Sequence, residues 1–214
     1  LFTKVRNMGV VTSLDFSLPD PGSESGKVDW PEIMKNTLPF VDIFLPSLEE
    51  VVQIMMPGKY NYLQSINGKT GADKKKAIID LAREAGRLII DSGVKVLLIK
   101  AGENGIYLRT GNIVSPVNNF HFLNDLKEWN NRELWCDAYY ADSTRVINSS
   151  GAGDTAVAAF LSAIINGEDP GLSVKYAAIA GRNSLYCKNV FRDISNWQKM
   201  EEELGSEINE IVNF

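Results

Sequence analysis

An α/β architecture, with a mainly parallel sheet covered by helices on both faces, is what this chain predicts. Three observations carry that prediction. Short β-branched, apolar runs, such as residues 41–45 and 94–99, alternate with longer stretches of helical periodicity, and strands alternating with helices imply right-handed crossovers. Polar clusters stand directly after several of these runs, at the strand ends where open α/β sheets carry their sites. With 214 residues, 44% of them hydrophobic, the chain can bury one substantial core, so residues 1–214 are expected to form a single α/β domain.

Taken in order, residues 9–14 are β-branched and apolar and run into Asp15-Phe16-Ser17-Leu18-Pro19-Asp20-Pro21-Gly22, a strand entering a loop. Residues 30–38 form a short helix with Pro31 in its first turn, and residues 41–45 the next strand, stopped by Pro46. Ser47-Leu48-Glu49-Glu50 has the composition of a capping box and opens a helix through Met55. Pro57, Gly58, Asn67, Gly68 and Gly71 make residues 57–72 a surface loop.

Ala77, Ile78, Leu81, Ala85, Leu88 and Ile89 follow helical spacing, which predicts a helix over 73–91. Residues 94–99 are then a buried strand, delivered into Lys100-Ala101-Gly102-Glu103-Asn104-Gly105, and 106–109 a returning hairpin strand. Residues 110–135 show no periodicity. Residues 138–147 read as a strand leading into Asn148-Ser149-Ser150-Gly151-Ala152-Gly153-Asp154-Thr155, and two helices, over 172–186 and 196–212, finish the chain.

Composition narrows the function. A net charge of -5 and a pI near 5.0 argue against broad nucleic-acid binding, which needs a basic face. Lys74-Lys75-Lys76 reads as a solvated helix face. Cys136 and Cys187 lack metal-ligand spacing and point to a reducing cytoplasm. His121 is the one histidine, so triads and multi-histidine metal sites have little to draw on. Neither a leader nor a long apolar span is encoded, so no membrane partner is expected.

The segment 148–155 carries the chemistry. Its glycines let several N–H groups converge at the start of an apolar helix, where unpaired amides and the helix dipole favour an anion. Asp154 beside such an anion hole suits a base that accepts a proton from a hydroxyl attacking phosphate. The plainer alternative is a helix N-terminus with a carboxylate in its first turn.

In these residues the chain resembles the carboxyl-terminal part of ribokinase-like carbohydrate kinases of the phosphofructokinase-B type. Gly151-Ala152-Gly153-Asp154, followed by Ala158-Ala159-Phe160-Leu161, fits that family's Gly-Ala-Gly-Asp signature and the helix it opens. The resemblance implies a three-layer α/β/α fold whose amino-terminal strands and β lid are absent from this chain. It also implies that the amides of Gly151, Ala152 and Gly153 form the anion hole and that Asp154 is the base.

Lys100 to Gly105 is similar to the family's nucleotide loop, with Lys100, Gly102 and Gly105 against ATP. Pro46-Ser47-Leu48-Glu49-Glu50 looks like its Pro-Asn-x-x-Glu segment, with Ser47 in place of Asn and Glu50 ordering water around Mg²⁺. The family often has Asp at Asn148 and, with the residue at Ser150, holds a monovalent cation there; K⁺ stays open because Asn148 departs from that pattern. Asp15-Phe16-Ser17-Leu18-Pro19 lacks the Arg that some members use to read a sugar acid.

The implied function is an ATP-dependent kinase acting on a hydroxyl of a small sugar or related polyol, cytoplasmic, with a homodimer left open. A nucleoside or vitamin-precursor kinase of the same fold is the first alternative. A nucleotide-binding module without catalysis is the second.

Overall fold

The structure, a computed structural model, describes residues 1–20, 22–114 and 120–214. Pro21, in the loop expected after the first strand, and residues 115–119, in the stretch without periodicity, lie outside the described residues.

The chain opens on a helix the sequence reading lacks, α1 (Phe2–Asn7), and the first strand shortens to β1 (Ser13–Leu14). Helix α2 (Trp30–Thr37) starts where Asp29 accepts from the Glu32 amide, with Pro31 in its first turn. After β2 (Ile43–Phe44) comes α3 (Leu48–Met55), opened by the expected capping box. Ser47 Oγ accepts from the Glu50 amide at 3.2 Å, and Glu50 Oε2 accepts from the Ser47 amide at 2.6 Å.

Residues 57–72 correct the expectation of a loop, because α4 (Tyr60–Asn67) forms within them. Leu63 and Ile66, three apart on one helix face, are buried, while the Pro and Gly residues only bracket the helix. Helix α5 (Gly71–Asp91), strand β3 (Val96–Lys100) and strand β4 (Ile106–Thr110) stand close to where they were expected.

The stretch without periodicity contains α6 (Leu126–Trp129) and β5 (Glu133–Cys136). Leu134, Trp135 and Cys136 are all buried, so β5 is covered on both faces and shows no alternation to read. Helices α7 (Ala152–Ile165), α8 (Pro170–Ser184), α9 (Val190–Asp193) and α10 (Trp197–Ser206) follow, and the last predicted helix gives way to strand β6 (Ile211–Asn213).

The strand expected over 138–147 does not form. Side chains satisfy part of that backbone in place of a sheet ladder: the Asp142 amide donates to Tyr186 Oη at 2.8 Å, and Arg182 donates to the Tyr140 carbonyl at 3.3 Å. Helix α7 is therefore entered from an irregular segment.

The sheet runs β1-β2-β3-β4-β5-β6. Its parallel part joins β1, β2 and β3, and each later strand is antiparallel to the one before it. Alternation along the strands assigns the two cores. Val96, Leu98, Ile106, Leu108, Leu134 and Cys136 face α7, α8 and α10, whereas Leu97, Ile99, Tyr107 and Trp135 face the side covered by α2, α3, α4 and α5. The result is three layers, helix, sheet, helix.

One polar network ties the second of these faces together. Glu133 Oε1 accepts from Arg83 Nε at 2.6 Å and from Tyr107 Oη at 2.9 Å, while its Oε2 lies 3.1 Å from an Arg109 nitrogen. Burial alone would raise the Glu133 carboxyl, but hydrogen bonds from Arg83 and Tyr107 and the nearby Arg109 charge hold it below the usual range. Burial pushes the Tyr107 hydroxyl well up.

A depressed folded-state value contributes stability above the unfolded carboxyl range and loses it as pH falls through the folded one. Glu133→Gln should therefore lower stability at neutral pH, with the difference from wild type shrinking in acid. Urea unfolding from neutral pH down to pH 3 checks this; a gap independent of pH would contradict the assignment.

Candidate active site

The segment before α7 is shaped by its own side chains. Asn148 Oδ1 accepts from the Ser150 amide, closing an Asx turn, and the Ser149 carbonyl takes the Ala152 amide at 3.3 Å. Gly151 then sits at φ +82°, in the left-handed region that favours glycine, and caps α7 with no side-chain hydrogen bond. Its carbonyl accepts from the Thr155 amide at 2.9 Å and from Thr155 Oγ1 at 2.8 Å.

Among the described residues, the amides of Gly151, Gly153 and Asp154 have no hydrogen-bond partner. Of the three amides expected to form an anion hole, that of Ala152 is turned back toward Ser149, while the Asp154 amide, not among those expected, is open. The helix that presents them is firmly seated. Ala156, Ala159, Phe160, Ala163 and Ile164 are buried, and Gly181 of α8 packs so close that a Cβ there would lie 3.4 Å from the Ala152 carbonyl.

Asp154 is exposed, and among the described residues its carboxylate makes neither a hydrogen bond nor an ion pair. It lies in the first turn of α7 without capping an amide, a position where a carboxylate also meets the helix dipole.

Lys100, the last residue of β3, approaches from the sheet. Its amide donates to the Pro46 carbonyl at 2.9 Å, and a parallel bridge sets it beside Ser47. Its ammonium lies 2.7 Å from Asp15 Oδ2. The Cδ, Cε and Nζ atoms of Lys100 run 3.8–3.9 Å from the point where a Cβ on Gly153 would stand. Asp15, Ser47, Lys100 and the start of α7 are thus brought together at the ends of β1, β2 and β3. Asp15, like Ser47 and Lys100, is one of the polar positions that the sequence sets directly after a strand, and the structure brings it to this shared edge.

Glu50 stands in the first turn of α3, with Oε2 committed to the Ser47 amide and Oε1 without a partner among the described residues. No group of three or more His, Cys, Asp or Glu side chains able to hold a metal occurs among the described residues. A single carboxylate with one free oxygen, as at Glu50, is a donor of the kind Mg²⁺ takes beside its waters and substrate phosphates.

The turn between β3 and β4 separates its two glycines. Gly105, at φ +130°, is packed so that a Cβ would fall 2.3 Å from the Cys136 carbonyl and 3.0 Å from the Trp135 ring. Gly102, at φ +57°, has nothing within 4 Å of the same position. Gly105 therefore answers to packing within the sheet, and Gly102 faces open space. Lys74 pairs with Glu103 at 2.7 Å and Lys75 with Asp137 at 2.7 Å, so two lysines of the expected solvated face tie the start of α5 to this turn and to the end of β5.

Two surface grooves contain none of these residues. One, of about 550 Å³, is lined by Tyr62, Lys69, Thr70 and Asp80, and the other, of about 370 Å³, by Arg132, Asp169, Lys175 and Asn213. The strand-end cluster is instead an open shelf, and we take it as the site because unpaired donors and a free carboxylate converge there. No helix among the described residues is long and apolar enough to cross a membrane.

Residues 27–193 match the profile of the pfkB family carbohydrate kinases. The chain belongs to that family. Lys100, Gly151 and Asp154 fall inside the matched span, and Asp15 lies before it. Comparison with curated proteins returned no match.

Solved structures share the fold. Arabidopsis thaliana ribokinase, complexed with ribose and ATP, aligns with a TM-score of 0.62 at 20% identity, over 95% of this chain and 50% of that one. An E. coli protein described as a ribokinase II, in complex with ATP and Mg²⁺, aligns with a TM-score of 0.59 at 19% identity, over 96% and 52%. Aminoimidazole riboside kinase from Salmonella enterica, with aminoimidazole riboside and an ATP analogue, gives 0.57 at 17% identity, over 95% and 55%. The chain spans about half the length of these relatives.

The contrast between the two glycines is testable. Gly105→Ala should cost roughly 2 kcal/mol or more of stability, from positive-φ strain together with overpacking against a carbonyl. Gly102→Ala should cost about 1 kcal/mol, the left-handed penalty alone. Urea unfolding of both variants decides; equal losses would refute the separate roles.

Proposed function

We propose that this chain carries the phosphoryl-transfer machinery of an ATP-dependent kinase that phosphorylates a hydroxyl of a small sugar or related polyol. The observation that carries this reading is the coincidence, in one turn, of three unpaired amides and an unbonded carboxylate. Family membership supports phosphotransfer from ATP as the reaction class.

Each residue then has a task. The amides of Gly151, Gly153 and Asp154 donate to the equatorial oxygens of the transferring group, where charge spreads in a loose transition state. Asp154 accepts the proton of the attacking hydroxyl. Lys100 sets a positive charge at the mouth of the amide cradle, and Gly102 lets the turn backbone approach the nucleotide. Mg²⁺, when bound with ATP, neutralises phosphate charge, and Glu50, with Oε1 unpartnered beside Ser47, would hold its water shell. Asn148 has its side-chain oxygen committed to the Ser150 amide, so any monovalent cation near that turn would compete with it.

A riboside acceptor is the second reading. It is supported by the likeness to aminoimidazole riboside kinase, whose fold this chain shares.

Asp154→Asn tests the assignment. Because Asp154 holds no partner here, the melting temperature should move little, while turnover should fall by about two to four orders of magnitude with ATP affinity nearly intact. ADP release over a panel of small sugars, polyols and nucleosides, with melting curves on the same preparations, reads both quantities. A variant that is less stable yet fully active would overturn the role given to Asp154.

A further inference from the structure

A lysine at a strand end has four rotatable side-chain bonds and, left alone, sweeps solvent at the cost of about 2 kcal/mol of entropy whenever it is ordered. Lys100 is ordered already, with a side chain only 13% exposed and Nζ 2.7 Å from Asp15 Oδ2.

The carboxylate that holds it is itself held. Asp15 Oδ1 accepts from the Phe16 amide at 2.9 Å, which fixes its plane against its own backbone. Phe16 in turn packs its ring 5.3 Å from that of Phe44, a fully buried core residue of β2. A continuous chain of contacts therefore runs from the core through Phe16 and Asp15 to the Lys100 ammonium. That ammonium ends 3.9 Å from the Cβ position of Gly153, at the first turn of α7, with two of its three N–H groups uncommitted among the described residues.

We propose that Asp15 is a positioning residue: through its ion pair it holds the Lys100 ammonium over the α7 amides, so that Lys100 meets the terminal phosphate of ATP in a geometry set before binding. This rests on the phosphoryl-transfer reading above. Preorganisation is the physical gain, because the ordering cost of a long side chain is met on folding rather than on binding.

The test is calorimetric titration of the chain with Mg-ATP and Mg-ADP, using wild type, Asp15→Asn, Lys100→Met and the double variant, with melting curves alongside. Asp15→Asn keeps an acceptor for the Phe16 amide and so keeps the turn. Lys100→Met should weaken ATP by roughly 10- to 100-fold, the size of a charge-assisted hydrogen bond, and ADP by less. Asp15→Asn should weaken ATP by roughly three- to tenfold and have no further effect once Lys100 is Met, the signature of acting through the lysine.

If Asp15→Asn lowers the melting temperature but leaves both affinities unchanged, the pair is a structural tie and the inference fails. If it costs the same affinity with and without Lys100, Asp15 acts on the nucleotide directly and the inference again fails. A wild-type chain that binds neither nucleotide would instead end the phosphoryl-transfer reading, and this inference with it.

Discussion

Every layer of the molecule meets at β3. Its side chains alternate between the two cores, Val96 and Leu98 toward α7, α8 and α10, Leu97 and Ile99 toward α2, α3, α4 and α5, so neither helical layer can shift without disturbing the strand. It is also the strand where pairing changes from parallel on the β2 side to antiparallel on the β4 side. Its last residue, Lys100, stands at the proposed site. The position of that lysine is thus fixed by burial on two faces before any ligand arrives, and a slip of one residue would exchange the two cores.

The proposed chemistry draws on two kinds of rigidity. The amide cradle is backbone, set by a left-handed glycine and by a helix seated against α8, and depends little on side-chain identity beyond Gly151. Lys100 is a side chain, and its order depends on a carboxylate and an aromatic contact contributed by the segment after β1. Packing density protects the first; a single ion pair, partly shielded from water, protects the second. Change at the lysine is therefore the easier way to alter phosphate recognition without disturbing the helix.

Much of this was legible in the sequence, and two of the failures share a cause. The capping box at Ser47 and Glu50, the hairpin after Lys100 and the long helix α5 are local features, decided by residues three or four apart. Strand β5 was not legible, because Leu134, Trp135 and Cys136 are buried on both faces and their pairing is with β4 and β6, distant in sequence. The segment over 138–147 has strand-forming residues, yet it is held by Arg182 of α8 and by Tyr186 just after it, contacts no local pattern encodes. At the site, glycine was read as one thing. The structure divides it, since Gly105 makes room for the Cys136 carbonyl while Gly102 leaves the turn open.

The open shelf at the start of α7 bears on what the acceptor side must supply. Gly153 and Asp154 are exposed, and neither of the two surface grooves described above includes them, so the start of α7 is open to solvent. Phosphoryl transfer by positioning requires the acceptor hydroxyl to lie in line and close to the phosphorus, with water excluded from competing for it. In the proposed kinase an enclosing wall has to come from surface beyond this shelf. Charge stabilisation and proton acceptance would then belong to α7 and β3, and the choice among sugar, polyol and riboside to whatever closes over them. Chemistry and specificity would thereby be carried by different parts of the fold, with Asp154 at their boundary.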